Sequence, residues 1–230
     1  MTKRSLVLLS GGLDSVYALH KAREESNVLF VITFDYGQRS AASEISHARE
    51  LCTKFGVAHK ILELPFFKEL AGHPLFDTTA TCPAPSTTDL DDRHASLESA
   101  KAVWVPNRNG IFLNVAAGLA EAAQAHFIYV GFNAEEAATF PDNSRGYVEA
   151  VNEAFAYSTS NRVEVRSPSQ DMIKTEIVAE LKHRGFDFKN LWSCYVAGEK
   201  MCGCCESCAR LKRALRANEM TEQFGDLFLC

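Results

Sequence analysis

The apolar run Leu6-Val7-Leu8-Leu9 stops at Ser10-Gly11-Gly12, and a helical pattern follows over residues 14–24. A short unbroken apolar run reads as a parallel strand buried on both faces. The same succession recurs along the chain. Residues 28–34 form a second β-branched run, and 43–55 place Ile45, Ala48, Cys52 and Phe55 on one helical face. Strands are expected at 60–64, 126–130 and 163–165, with helices over 110–125, 146–158 and 172–184. This alternation predicts an α/β fold with a doubly wound parallel sheet covered on both faces. The length of 230 residues suits one domain over 1–185, with a C-terminal segment over 186–230 packed on it. Residues 73–100 hold Pro74, Pro83 and Pro85 among many Ser, Thr and Asp, and read as a long loop serving as a lid or a mobile segment.

In such sheets ligands bind beyond the carboxyl ends of the strands. The segments that begin at Ser10, Asp35, Arg108 and Asn133 each follow a strand or open a helix, so they are expected to converge on one cleft. Gly11 and Gly12 let backbone N–H groups approach an anion, and the helix that follows adds its positive N-terminal end. Ser10 and Ser15 supply hydroxyl donors. Asp14 is anionic, so its expected place is beside Mg²⁺ rather than against phosphate. The plainer alternative is an ordinary strand-to-helix turn with Asp14 or Ser10 as the N-cap.

The formal charge of −5 argues against a nucleic-acid partner. The one basic cluster, Arg210, Lys212, Arg213 and Arg216, reads as a solvated helix face. No stretch reaches the roughly 18 to 20 apolar residues that span a bilayer, and no secretory pattern opens the chain, so a cytoplasmic location is expected. Five of the eight cysteines lie between Cys194 and Cys208. Cys202, Cys205 and Cys208 have the spacing C-x2-C-x2-C, and with Cys194 they make a four-thiolate set for a closed, structural zinc site. An iron–sulfur cluster uses similar spacings and stays open as an alternative. Cys52, Cys82, Cys204 and Cys230 are expected to have no part in the metal site.

The six residues from Ser10 to Ser15, directly after an apolar strand, resemble the loop of the ATP pyrophosphatase superfamily. The resemblance implies an adenine nucleotide alpha hydrolase-like fold and cleavage of ATP to AMP and pyrophosphate. Further segments narrow it: Phe34-Asp35-Tyr36-Gly37-Gln38-Arg39, Val105-Pro106-Asn107-Arg108-Asn109, Gly131-Phe132-Asn133, Pro141-Asp142 and Trp192-Ser193-Cys194-Tyr195. Together with the cysteine spacing they resemble the 7-cyano-7-deazaguanine synthase family, in order and over nearly the whole chain. That family implies adenylation of 7-carboxy-7-deazaguanine, displacement of AMP by free ammonia to give an amide, and a second ATP-driven step to the nitrile.

Carried across, the resemblance assigns ATP binding to Leu8, Leu9, Ser10, Gly11, Gly12, Leu13, Asp14, Ser15, Val16, Tyr17 and Ala18, and zinc to Cys194, Cys202, Cys205 and Cys208. Ser10, Asp14, Ser15, Arg108 and Lys174 become candidate catalytic residues. Arg39 is a further candidate phosphate or carboxylate contact. Asn133 and Asp142 are expected to read the deazaguanine edge, Asn133 alternatively being a turn residue, and Phe132 or Phe140 to stack on the base. ATP, Zn²⁺ and Mg²⁺ are the implied cofactors, and a homodimer without nucleic acid or membrane is the implied assembly, with the apolar tail from Phe224 to Leu229 either at the contact or on its own core. The chain departs from the family at Asn143-Ser144-Arg145, where a cysteine followed by arginine is expected, and at Glu135-Glu136, where the acidic position is shifted. The departure at Asn143 motivates a second reading, an ATP pyrophosphatase that adenylates a tRNA base or protein, and a third is a zinc-stabilised nucleotide-binding or interaction protein without turnover.

Overall fold

The computed structural model describes residues 2–70, 73–76, 90 and 93–230. In chain order the strands are β1 (Arg4–Leu8), β2 (Asn27–Asp35), β3 (Ala58–Glu63), β4 (Phe127–Tyr129) and β5 (Glu164–Arg166). The helices are α1 (Leu13–Glu25), α2 (Ala41–Phe55), α3 (Arg93–Val103), α4 (Arg108–Ala122), α5 (Ala134–Ala137), α6 (Arg145–Ser158), α7 (Lys174–His183), α8 (Glu206–Ala217) and α9 (Phe224–Leu227).

The strands form one parallel sheet in the order β3-β2-β1-β4-β5. The chain winds outward from β1 through β2 to β3, then returns to the other side of β1 for β4 and β5. The reversal falls between β1 and β4, and the crevice at their carboxyl ends is the switch point where α/β sheets bind ligands. Successive residues of β1 feed opposite cores. Leu6 joins Ile32, Leu113 and Ile128 on one face, and Val7 joins Val16, Val31 and Ile177 on the other. This two-sided burial is why the run Leu6 to Leu9 carries no polar alternation. α2 ends at Gly56, whose φ of +66° is the left-handed conformation that closes the last turn onto Cys52 and Thr53 carbonyls.

The C-terminal segment shares the second core. Leu191, Trp192, Leu211 and Leu215 lie in one buried cluster with Val7 and Leu19. Leu227 and Phe228 are buried there too, while Leu229 is exposed, so most of the apolar tail packs on its own chain. The stretch 73–100 differs from the expected loop. Residues 93–103 are helical, and Ala100 and Val103 are buried. The rest of the lid reading, residues 77–89 with Cys82, lies outside the described residues. Among the described residues no helix is long and apolar enough to cross a membrane.

Candidate active site

A cavity of about 280 Å³ opens at the switch point. Ser10, Gly12, Asp14 and Ser15 form one wall, Phe34, Tyr36 and Phe112 another, and Gly131, Glu136 and Lys174 close the side from β4. The glycine loop turns at Gly11, with φ +77°, and packs so closely on α2 that a Cβ there would lie 3.2 Å from His47 Cβ. Gly12 is the N-cap of α1 and supplies no side-chain acceptor. The N-cap residue thus leaves the first-turn N–H groups of α1 without a side-chain acceptor of its own, though Leu13 N donates to Ser193 Oγ at 3.4 Å. Neither Ser10 nor Asp14 is the cap. Ser15 Oγ instead donates to the Gly12 carbonyl at 3.0 Å. The C-terminal segment buttresses this loop, with Trp192 N donating to Gly11 O at 2.8 Å.

Of the eleven residues from Leu8 to Ala18, Leu8, Leu9, Ser10, Gly12, Asp14 and Ser15 line the cavity. Leu13, Val16 and Tyr17 belong to the core beneath it, and Ala18 is fully buried without lining it. The helical period explains part of the division: Leu13 and Val16, one before and two beyond Asp14, point to other faces of α1, while Tyr17 and Ala18 share the face of Asp14 but lie a turn further from the mouth.

Lys174, at the start of α7, is 8% exposed and donates to Asp14 Oδ2 and Glu136 Oε1, each at 2.7 Å. Burial pushes the Asp14 carboxyl up to about 6, against the opposing pull of Lys174. Glu136 is held below the usual carboxylate range: its burial is outweighed by Lys174, with Arg210 and Arg108 adding to it. The second Asp14 oxygen, Oδ1, is buried with no hydrogen-bond partner among the described residues. Arg108 opens α4 and donates to Tyr36 Oη at 3.2 Å, and Tyr36 and Phe34 both pack on Phe112. Burial raises the Glu44 carboxyl, which lines the cavity and accepts from Ser40 and Gln38.

Three expected site residues lie elsewhere. Arg39 does not line the cavity, and its guanidinium donates to the Pro74 carbonyl. The chain turns between Tyr36 and Arg39, with Gly37 at φ +86°, and this carries Arg39 away from the Tyr36 side. Asn133 is fully buried and caps α5, its Oδ1 accepting from Glu136 N at 2.9 Å; it does not line the cavity. Oδ1 thus takes the turn role, while Nδ2 is buried with no hydrogen-bond partner among the described residues. Asp142 also sits outside the lining, and its neighbour Asn143 takes that place, with Nδ2 donating to Asp142 Oδ1 at 3.1 Å. Phe132 lines the cavity, whereas Phe140 stacks on Trp104. Glu44, Glu136 and Tyr195 are lining residues that sequence reasoning passed over or left unassigned.

The basic cluster is only partly a solvated face: Arg216 is exposed, and Lys212 and Arg213 are half-buried. Arg210 is 11% exposed and pairs with Glu135 and Glu206, and Arg213 also reaches Glu135. Lys212 and Arg216 lie over the Phe228 and Phe224 rings.

Beside the cavity, the sulfurs of Cys194, Cys202, Cys205 and Cys208 all lie within 4.8 Å of one another. Cys202 and Cys208 are 3.9 Å apart, and Cys194 and Cys205 are 4.0 Å apart. Four thiolates at about 2.3 Å from one tetrahedral ion need separations of this order. Backbone N–H groups of Cys202 and Cys205 point at the sulfurs of Cys194 and Cys202. The donor set therefore fits a single ion. Cys204 is exposed, and its thiol and that of Cys230 turn instead to the Cys202 carbonyl. Cys52 is buried on α2, away from the set.

Comparison with known proteins gives a consistent result. The model of the family described as queuosine biosynthesis protein QueC matches residues 4–219. A 7-cyano-7-deazaguanine synthase of Pelotomaculum thermopropionicum is 47% identical over 213 residues, covering 93% of this chain and 96% of that protein. One from Methanosarcina mazei is 45% identical, covering 93% and 94%. Among solved structures, the U34-tRNA thiolase NcsA of Methanococcus maripaludis superposes with a TM-score of 0.51 at 14% identity, over 98% of this chain and 67% of that one. A 4-thiouridine synthetase solved with RNA and bound ATP gives 0.50 at 17%, over 97% and 52%. These two likenesses speak to the fold alone, which is the adenine nucleotide alpha hydrolase-like sheet. The family match and the identities over nearly full length settle the relationship: the chain belongs to the QueC family of queuosine biosynthesis proteins.

Proposed function

We propose that this chain is an ATP-dependent carbon–nitrogen ligase that converts 7-carboxy-7-deazaguanine and ammonia to 7-cyano-7-deazaguanine, the activity for which its relatives are named. The observation that carries the reading is the convergence of the glycine loop, Lys174 and Arg108 on one cavity.

A carboxylate is a poor electrophile, and its oxide is a poor leaving group. Transfer of AMP to a carboxylate oxygen corrects the second fault, and ammonia then displaces AMP to leave an amide. A second activation, at the amide oxygen, lets elimination form the nitrile. In this reading Ser10, Gly11, Gly12 and Ser15 cradle the ATP phosphates, and the start of α1 adds its dipole. Lys174 and Arg108 oppose the charge that develops on the departing pyrophosphate. Such fixed cations act most strongly where water is excluded. Lys174 needs no reorganisation for this, because Asp14 and Glu136 already hold its ammonium. The unpartnered Asp14 Oδ1 is the oxygen that would meet a nucleotide-bound Mg²⁺, which supplies further charge neutralisation. Phe34, Tyr36 and Phe112 offer an aromatic wall for a planar base.

Zinc is the ion assigned to the four cysteines. It would hold Ser193 and Trp192 against the glycine loop, a structural part that needs no open coordination position. The 186–230 segment is thus read as a brace for the ATP-binding domain rather than a separate unit. The direct check is to follow AMP and pyrophosphate release. Pyrophosphate release should require the acid together with ATP, AMP release should require ammonium as well, and Asp14→Ala should abolish both while the protein stays folded. AMP release without the acid would overturn the assignment.

Asn143 favours a second reading, with the same ATP chemistry on another acceptor, because it lines the cavity where the family pattern has cysteine. Tight, salt-sensitive binding of tRNA supports a tRNA acceptor, and its absence removes that acceptor.

A further inference from the structure

We propose that Arg210 is a positioning residue: from the helix that carries Cys208, its guanidinium fixes Glu135 and thereby sets Lys174 in the cavity. The inference rests on the reading of Lys174 as the cation that acts on the phosphates.

The contacts form an unbroken series. Arg210 Nη1 donates to Glu135 Oε1 at 2.7 Å, with side-chain exposures of 11% and 14%. The other carboxylate oxygen of Glu135 accepts from the backbone N–H of Lys174 at 3.4 Å. That N–H is one of the unpaired donors at the start of α7, where a carboxylate is favoured by the helix dipole. The next residue, Glu136, receives the Lys174 ammonium itself. Glu135 and Glu136 thus grip Lys174 at both ends, one by its backbone and one by its side chain. The backbone bond from Ala134 N to Met172 O, 3.0 Å, ties the same two segments together.

Arg210 is in turn held by the metal-binding segment. Its Nε and Nη2 both donate to Glu206 Oε1, at 3.0 and 2.7 Å. Glu206 lies between Cys205 and Cys208 in the first turn of α8, is 6% exposed, and also accepts from Ser99 of α3. One guanidinium therefore spans two carboxylates that have left water. A planar fork with several fixed donors can do this, whereas a lysine ammonium is a single point charge. Burying these charges costs desolvation that an apolar contact would avoid, and the retained arrangement specifies geometry.

The test uses the full metal-loaded chain with Arg210→Met, Arg210→Lys, Glu135→Gln and the pair Arg210→Met with Glu135→Leu. Arg210→Met should lower kcat about 10- to 100-fold, the size expected of a misplaced reacting group, with the KM for ATP changed less than about twofold. Arg210→Lys should fail to restore it, and the double variant should be no worse than Arg210→Met alone. Metal content should stay at one ion per chain. Independently of turnover, an amine-acylating reagent followed by peptide mass spectrometry should label Lys174 faster in Arg210→Met and in Glu135→Gln. Unchanged kcat, loss that follows metal release or melting, or unchanged Lys174 labelling would overturn the proposal. Faster labelling in a chain that makes no nitrile would instead overturn the assigned reaction and leave the positioning role standing.

Discussion

Gly131 lies flush against the peptide between Asp14 and Ser15: a Cβ on Gly131 would sit 2.4 Å from the Asp14 carbonyl carbon and 2.4 Å from Ser15 N. The end of β4 thus fixes the first turn of α1, and only a residue without a side chain permits it. Gly131→Ala should cost about 1–3 kcal/mol of stability through overpacking against backbone. On the proposed function it should also weaken ATP binding, since the displaced atoms belong to the glycine loop assigned there to the phosphates. Gly118 is the control: it is exposed in α4, and a Cβ there would meet nothing within 4 Å. Gly118→Ala should stabilise by about 0.5–1 kcal/mol. Urea unfolding and calorimetric ATP binding check both.

His20 packs edge-on to Phe55 and Phe186, and its Nε2 is buried without a partner among the described residues. Burial, then the nearby Arg184 and Arg23, push its imidazolium down from 6.5 to about 4. Between these values the unfolded chain binds a proton that the folded chain refuses. Stability from this site is therefore complete above about pH 6.5 and lost as pH falls toward about 4. Urea unfolding should show the wild-type chain losing more stability than His20→Leu between about pH 7.5 and about pH 5. Equal slopes would contradict the burial argument.

The four-cysteine set excludes Cys204 although it lies next to Cys205. Cys205→Ser should lose the bound ion and lower the melting temperature, because metal binding to such a site is folding free energy. Cys204→Ser should retain one ion per chain and melt as the parent does. Elemental analysis with thermal unfolding separates the two.

Arg108 is placed where a planar guanidinium meets both Tyr36 and the cavity. Arg108→Lys keeps the charge but not the fork, and should lower kcat/KM about 10- to 100-fold, or roughly 1.4–2.8 kcal/mol. Steady-state kinetics with ATP varied provides the check. Tyr36→Phe, which removes only the hydroxyl partner, should cost less.

The elements around β1 were legible because a strand buried on both faces leaves an unbroken apolar run, and Ser10-Gly11-Gly12 marks its end without ambiguity. The clustering of the four cysteines was legible for a similar reason. Two-residue gaps bring the sulfurs together locally, and Cys194 is only eight residues away. What failed to show were contacts made across the fold. Lys174 meets Asp14 from 160 residues away, and Arg210 meets Glu135 from 75. Periodicity places a residue on a helix face but does not name what that face meets, so Arg210 read as solvated. Arg39 and Asn133 failed differently. Each lies in a recognisable motif, but the turn after Tyr36 sends Arg39 to Pro74, and the start of α5 uses Asn133 as its cap. Residues 93–103 mix small, polar and charged side chains after several prolines, a composition in which a helix resting on Ala100 and Val103 leaves little trace.

The most direct measurement of the central claim is a mass-spectrometric product assay on the folded, metal-loaded chain with 7-carboxy-7-deazaguanine, ATP and ammonium. The expected products are 7-cyano-7-deazaguanine and AMP, with the amide appearing first and both products lost in Lys174→Met. Acid left unconverted by a chain that binds ATP and holds its metal would contradict the claim.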